Sequence, residues 1–194
     1  MKGLQIAGVF NYAKKLKGTQ IGLINISDTS DGYSIGLINI VLKGYHKLSI
    51  STNEVVYANI AFKTGSRRLY SILLAGMNAG KQKEKLYTFG YGLGTEMRLA
   101  KWLSVNPELS SQYLYLGVWD HLNLLNKLHL QLNLKFGKRF SIFGGPSFAV
   151  YYSDQPAAIS GYKYTILPSS YHNFRLGDEK VLGWFGWNAG INIF

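Results

Sequence analysis

The sequence predicts an all-β protein: an antiparallel transmembrane β-barrel of eight to twelve strands, preceded by a short-repeat section that is either sheet or small solenoid. Three observations carry this reading. Long segments alternate apolar and polar residues with a period of two, aromatic residues gather toward predicted strand ends, and short and long connections alternate along the chain. The composition agrees. Of 194 residues, 47% are hydrophobic and 14% aromatic, but only 16% are charged, against ~25% in a typical soluble domain. Cysteine is absent, which excludes disulfide frameworks, zinc knuckles and thiol catalysis. No apolar stretch approaches the ~18 residues of a spanning helix. The length suits one domain, divided here into a repeat section (1–43) and a barrel (44–194).

The repeat section comes first. Gly8-Val9-Phe10-Asn11-Tyr12, Gly22-Leu23-Ile24-Asn25-Ile26 and Gly36-Leu37-Ile38-Asn39-Ile40 recur every 14 residues. A connector with turn chemistry, Ser27-Asp28-Thr29-Ser30-Asp31-Gly32, separates the last two. The units are largely apolar on both faces, so each is expected to be covered on both sides. They fit strands of a sheet, or rungs of a small solenoid with stacked Asn. The N-terminus, Met1-Lys2-Gly3, leads straight into a strand-like segment without a signal-peptide pattern. That is expected of a cytoplasmic chain, or of a mature piece or fragment of a longer precursor.

Strands of alternating polarity follow. In Lys127-Leu128-His129-Leu130-Gln131-Leu132-Asn133-Leu134-Lys135-Phe136 every even position is Leu or Phe and every odd one polar. Over residues 87–99, Tyr87, Phe89, Tyr91, Leu93, Met97 and Leu99 face one way, and Glu96 and Arg98 the other. Over 103–115 the polar face is Ser104, Asn106, Glu108, Ser110 and Gln112. A soluble sandwich also alternates. These segments, however, reach on the order of 10–14 residues, where globular strands have a mode near 5–6 and membrane strands need ~9–11. Tyr87, Trp102, Tyr113, Tyr115, Trp119 and Trp184 lie toward strand ends, as an interfacial aromatic girdle would.

Connections at 63–68, 100–102 and 137–139 are short, and those at 76–85, 119–126 and 154–180 are longer. This is the expected alternation of periplasmic turns and extracellular loops. They join seven strands from about His46. A turn at Ser51-Thr52-Asn53 makes eight, and counting the repeats as strands beside an unbroken first segment makes ten. Phe194 falls out of phase with the apolar face Phe185, Trp187, Ala189, Ile191 and Ile193.

The net charge is +11, which points to a polyanionic neighbour. The bases gather at predicted turns: Lys14, Lys15 and Lys17; Lys63, Arg67 and Arg68; Lys81, Lys83 and Lys85; Lys138 and Arg139. Cations at both ends of an apolar waist fit a membrane better than a nucleic-acid groove.

Candidate chemistry is sparse. Gly90-Tyr91-Gly92-Leu93-Gly94 lies within one strand and opens no helix, so it is no dinucleotide loop. Asp28-Thr29-Ser30-Asp31-Gly32 begins like a calcium loop, but its twelfth position is Asn39 instead of an acid. His46, His121, His129 and His172 share no metal-ligand spacing. Hairpin pairing places His129 near Ser147, a pair that an esterase of lipid A would need along with an orienting carboxylate; the sequence offers none, so a hydrogen-bonded lumen histidine is the expected reading. The charged residues of the inner face form the expected lumen network: Glu96, Arg98, Glu108, Lys127, His129 and Lys135. Across the 119–126 loop, Glu108 is expected near Lys135. Buried ions must be paired or hydrated, so an ion-pair plug ranks above a solute conduit.

Residues 3–15, Gly-Leu-Gln-Ile-Ala-Gly-Val-Phe-Asn-Tyr-Ala-Lys-Lys, resemble the tandem surface repeats of uncharacterised Bacteroidota outer-membrane proteins. The junction from Gly36-Leu37-Ile38-Asn39-Ile40 to Gly44-Tyr45-His46-Lys47 and the stretch Tyr87-Thr88-Phe89-Gly90-Tyr91-Gly92-Leu93-Gly94 look similar too. The resemblance implies an outer-membrane barrel and supplies no catalytic residues. The expectation is a structural, anchoring or interaction barrel whose basic rims engage lipid phosphates. A small-solute pore ranks second, a lipid A-modifying enzyme third, and a soluble basic β-protein last. The partners expected are the lipid bilayer, its lipopolysaccharide and other envelope proteins, with no nucleic acid, cofactor or metal. The long segment 154–180 is the expected place of any external recognition.

Overall fold

Where a sequence repeats every 14 residues, parallel pairing in register sets each side chain on its own copy. The computed structural model, which describes residues 1–78, 84–137, 139–176 and 180–194, has this pairing at the N-terminus. Six short strands, β1 (Leu4–Ile6), β2 (Phe10–Leu16), β3 (Thr19–Ile21), β4 (Ile24–Ser30), β5 (Tyr33–Ile35) and β6 (Ile38–Val41), alternate between two sheets. The odd strands form one three-stranded parallel sheet and the even strands another. Asn11 pairs with Asn25 and Asn25 with Asn39. Gly22 stands where a Cβ would lie 2.5 Å from the Asn11 amide nitrogen, so the close approach of the asparagines requires glycine there.

The rest of the chain is antiparallel. β7 (Tyr45–Asn53), β8 (Ala58–Gly65), β9 (Tyr70–Asn78), β10 (Leu86–Gly94), the two-residue β11 (Met97–Arg98), β12 (Leu103–Tyr115), β13 (Asn123–Phe136), β14 (Phe140–Ser153), the three-residue β15 (Asn173–Arg175) and β16 (Val181–Ile193) follow in order. Every neighbour pair is antiparallel. The pairings β10–β12 and β7–β16 close the sheet into a barrel of eight main strands, with β11 and β15 as short additions at its two ends. No helix forms among the described residues.

Eight is the lower bound of the expected range. The ten-strand count is corrected: β1–β6 pair only with one another and contribute no stave. The first long segment does break, but at 54–57, just after the anticipated Ser51-Thr52-Asn53, because Asn53 Oδ1 accepts from the Val55 and Val56 amides and folds the chain back. This turn is short although it shares its end of the barrel with the longer connections.

The barrel is lopsided. β12, β13, β14 and β16 run 13–14 residues, whereas β7–β10 run 8–9. Alternation turns Ser104, Asn106, Glu108, Ser110 and Gln112 of β12 inward, with Lys127, His129, Gln131 and Asn133 of β13. It leaves Leu128, Leu130 and Leu132 about half exposed outside. The polarity is thus inverted relative to a water-soluble domain.

Candidate functional site

An eight-stranded barrel encloses an interior that side chains can just fill, so the inward residues define the site. Three glutamates anchor three levels of it. At the end of the short turns, Glu96 accepts from Lys47 at 3.0 Å, Lys135 at 2.8 Å and Arg98 at 3.1 Å. Midway, Glu108 accepts from Lys63, from the Tyr70 hydroxyl at 2.8 Å and from Gln131 at 2.9 Å. At the other end, Glu54 accepts from Lys127 at 2.5 Å, the Trp184 indole at 3.0 Å and the Trp187 amide at 3.1 Å. Gly186 makes this last arrangement fit, since a Cβ there would lie 2.5 Å from the Glu54 carboxyl.

Glu54 and Glu96 sit in connections between strands. Burial acts to raise each carboxyl, and the lysines outweigh it. Lys127 holds Glu54 below its ordinary value. Lys135 and Lys47 hold Glu96 at about 2. Both are therefore ionised at neutral pH, and each buried carboxylate is charge-compensated.

Between the middle and upper levels lies a cavity of about 40 Å³, bordered by Lys63, Ser110, His129 and Asn188 among others. Ser110 Oγ, His129 Nδ1 and Asn188 Oδ1 are buried there without a hydrogen-bond partner. Its size suits water and no organic solute. Above it the interior turns apolar: Val55, Leu86, Leu114, Leu125 and Trp184 pack with Ile166 and Leu167 of the 154–180 segment. That segment therefore plugs the mouth with its two buried aliphatics. The opposite mouth is a vestibule of about 850 Å³, bordered by Lys43, Arg67, Arg68, Arg98, Lys101 and Lys135 and floored by Glu96.

The expected network residues come together with two changes. Lys135 reaches Glu96 and leaves Glu108, which takes Lys63 instead. Strand register explains the change: Glu108 faces His129 across β12–β13, six residues from Lys135. Arg98 is half exposed at the vestibule and is not a lumen ion. His129 and Ser147 are register partners, yet both are buried, and neither His129 Nδ1 nor Ser147 Oγ has a hydrogen-bond partner.

Of the aromatic residues, Tyr87, Tyr113, Tyr115 and Trp119 form one outward cluster, with the Tyr115 and Trp119 rings 4.5 Å apart. Trp102 is exposed at the opposite end. Trp184 is the correction: it is fully buried inside, and Phe185 and Trp187 face out in its place, as alternation along β16 demands. Lys63 is also corrected, from a rim cation to a buried one. Lys81, Lys83 and Lys138 lie outside the described residues. Phe194 turns inward, its ring 4.4 Å from Lys47 Nζ, in keeping with its odd phase.

Sequence reasoning missed Lys47, Lys63 and Glu54. Lys47 and Lys63 occupy the polar parity of β7 and β8, Lys47 just before Leu48 and Lys63 just after Phe62, and that signal was available. The apolar plug also had one: Leu86, Leu114, Leu125 and Trp184 break the polar parity near one end of their strands.

The fold and site together define a closed, eight-stranded antiparallel barrel with charge-compensated filling. Comparisons with family models, curated proteins and solved structures gave no match.

Proposed function

We propose that this chain is a bacterial outer-membrane β-barrel with a structural, anchoring or interaction role, related to Bacteroidota proteins that carry surface repeats. One observation carries the reading: the outer wall is bare Leu, Ile, Phe and Tyr while lysines and glutamates are sealed inside. In water that arrangement exposes what should be buried. Against acyl chains it satisfies both faces. Residues 1–43, read as a small solenoid of surface repeats, belong to the same protein body. Arg67, Arg68, Lys101 and Arg139 at the short-turn end would meet lipid phosphates, and the Lys85 end would meet lipopolysaccharide.

The plug of Ile166 and Leu167 and the three ion-paired levels support a barrel that conducts nothing. They also keep His129 and Ser147 from any lipid ester, which ranks the lipid A-modifying reading below the pore. The test is a gel in mild SDS with unboiled and boiled samples, together with planar-bilayer recording. A heat-dependent change in migration and an electrically silent bilayer are expected. Identical migration overturns the membrane barrel, and discrete conductance steps overturn the plugged interior in favour of the pore.

A further inference from the structure

We infer that residues 1–43 are themselves inserted in lipid, as an inside-out body with one bend among the acyl chains and the other at the phosphate level. This rests on the membrane reading of the barrel and extends it from the wall to the repeats.

The first ground is polarity. Asn11, Asn25 and Asn39 are buried and joined in a file, Asn11 to Asn25 at 2.9 Å and Asn25 to Asn39 at 2.8 Å. Gln20 and Ser34 are also buried, and Gln20 donates to Gln5. Outside stand Ile6, Ile21, Ile35, Val9, Leu23 and Leu37, all exposed. Ala13, Leu16 and Val41 are buried as well, toward the charged bend, so the interior is polar mainly along the asparagine file. An exposed apolar surface of this extent over such an interior matches the barrel wall and opposes the rule for a body in water.

The second ground is that the two bends of each repeat differ. The bend that carries Leu23 and Leu37 is apolar. At and beside the other stand Lys14, Lys15 and Lys17 of the first repeat, Asp28 and Asp31 of the second and Lys43 after the third, four cations to two acids.

The third ground is depth. The last repeat docks on the outer wall of β8, β9 and β10. Asn39 donates to Ser71 Oγ at 2.6 Å, and the Tyr91 hydroxyl donates to the Gly36 carbonyl at 2.6 Å. Ser71 faces outward, yet it is fully buried by this contact. The charged bend lies level with the short-turn rim, where Ser66 Oγ reaches the Gly32 carbonyl and Asp31 and Lys43 border the same vestibule as Arg67. The apolar bend lies farther along the wall, where Leu37 shares a groove with Leu48, Phe62, Leu73 and Phe89. From Tyr70 to Leu73 the strand rises ~10 Å, which carries Leu37 into the apolar band. A bilayer that meets the wall at that depth meets the apolar bend too, and the basic bend falls at its phosphates.

The chain has no cysteine, so single labels can be placed cleanly. Leu23→Cys and Ile35→Cys report on the apolar bend, Lys17→Cys on the basic bend and Leu130→Cys on the barrel wall. Each is labelled with an environment-sensitive fluorophore in phosphatidylcholine–phosphatidylglycerol vesicles that carry a nitroxide on either the acyl chain or the headgroup. The labels at positions 23 and 35 should be quenched by the acyl nitroxide as strongly as the label at 130, and that at 17 more strongly by the headgroup nitroxide. Water-like emission at 23 and 35, with quenching at 130, overturns the inference and spares the barrel. Blue-shifted emission at 23 and 35 without quenching also overturns it, because a second copy or a protein partner then covers the bend. No quenching at 130 would instead strike the membrane reading itself.

Discussion

The repeats and the barrel both bury polar groups, but they bury different ones. The barrel holds lysine–glutamate pairs; the repeats hold neutral amides. Strand direction is the reason. In a parallel, in-register stack each residue lies over its own copy, so an ion would meet its like. Asn carries both donor and acceptor and completes itself from repeat to repeat, in the manner of an amide ladder. In an antiparallel barrel unlike residues face one another, and opposite charges can be matched across the interior. Lys63 of β8 reaches Glu108 of β12, and Lys47 of β7 reaches Glu96 beyond β10.

That contrast can be broken at named positions. The largest effect is expected from Glu54→Ala, which strands Lys127 in a fully buried site and frees the Trp184 indole. Losing one partner of such a pair costs about 3–5 kcal/mol, read as a lower urea midpoint for the refolded protein in detergent.

The acid limb of stability should follow the same groups. Glu96 is held at about 2, below its ordinary 4.5. Its contribution is therefore complete above pH 4.5 and is lost as the pH falls toward 2. Glu54 acts in the same direction. Midpoints measured across this range should drop for the native chain and drop less for Glu96→Gln; an unchanged acid limb in that variant would contradict the assignment.

A smaller loss is expected in the repeats. Asn25→Ala leaves Asn11 Nδ2 and Asn39 Oδ1 without their partner in the file, which costs about 1–3 kcal/mol. Asn25→Asp should be worse, since a carboxylate cannot donate to Asn39 or to the Gly22 and Ile35 carbonyls. Hydrogen exchange should quicken over residues 10–41 and stay slow in the barrel strands. The smallest effect belongs to Tyr91→Phe, which removes the bond to Gly36 at the seam. About 1 kcal/mol is expected, seen as faster exchange confined to β5 and β6.

Much of this was legible in residue order, and the failures are specific. The inward set of β12 and β13 could be read directly, because alternation is imposed by the pleat. Trp184 obeys the same rule: it stands near a strand end, as a girdle residue would, but its parity turns it inward. The pairing of Glu108 was beyond reach: Lys63 meets it across the interior, between strands that are not neighbours. The plug was half legible. Leu114 and Leu125 broke the polar parity, but nothing nearby in sequence indicated that Ile166 and Leu167 would fold in to cover them.

Residue order by itself determined the two periods, two and fourteen, and with the first of them the inverted polarity of the barrel. The repeats, apolar on both faces in sequence, are expected to be covered, and Val9, Leu23, Ile35 and Leu37 stand exposed instead. The periods are local properties: a strand's geometry sends alternate side chains to opposite faces wherever the strand ends up. Only the tertiary structure decided that eight strands close, that the repeats stand outside the ring, and which lysine each glutamate holds. Those outcomes depend on how far each strand is shifted against the next around a closed circuit, a quantity that no single segment contains.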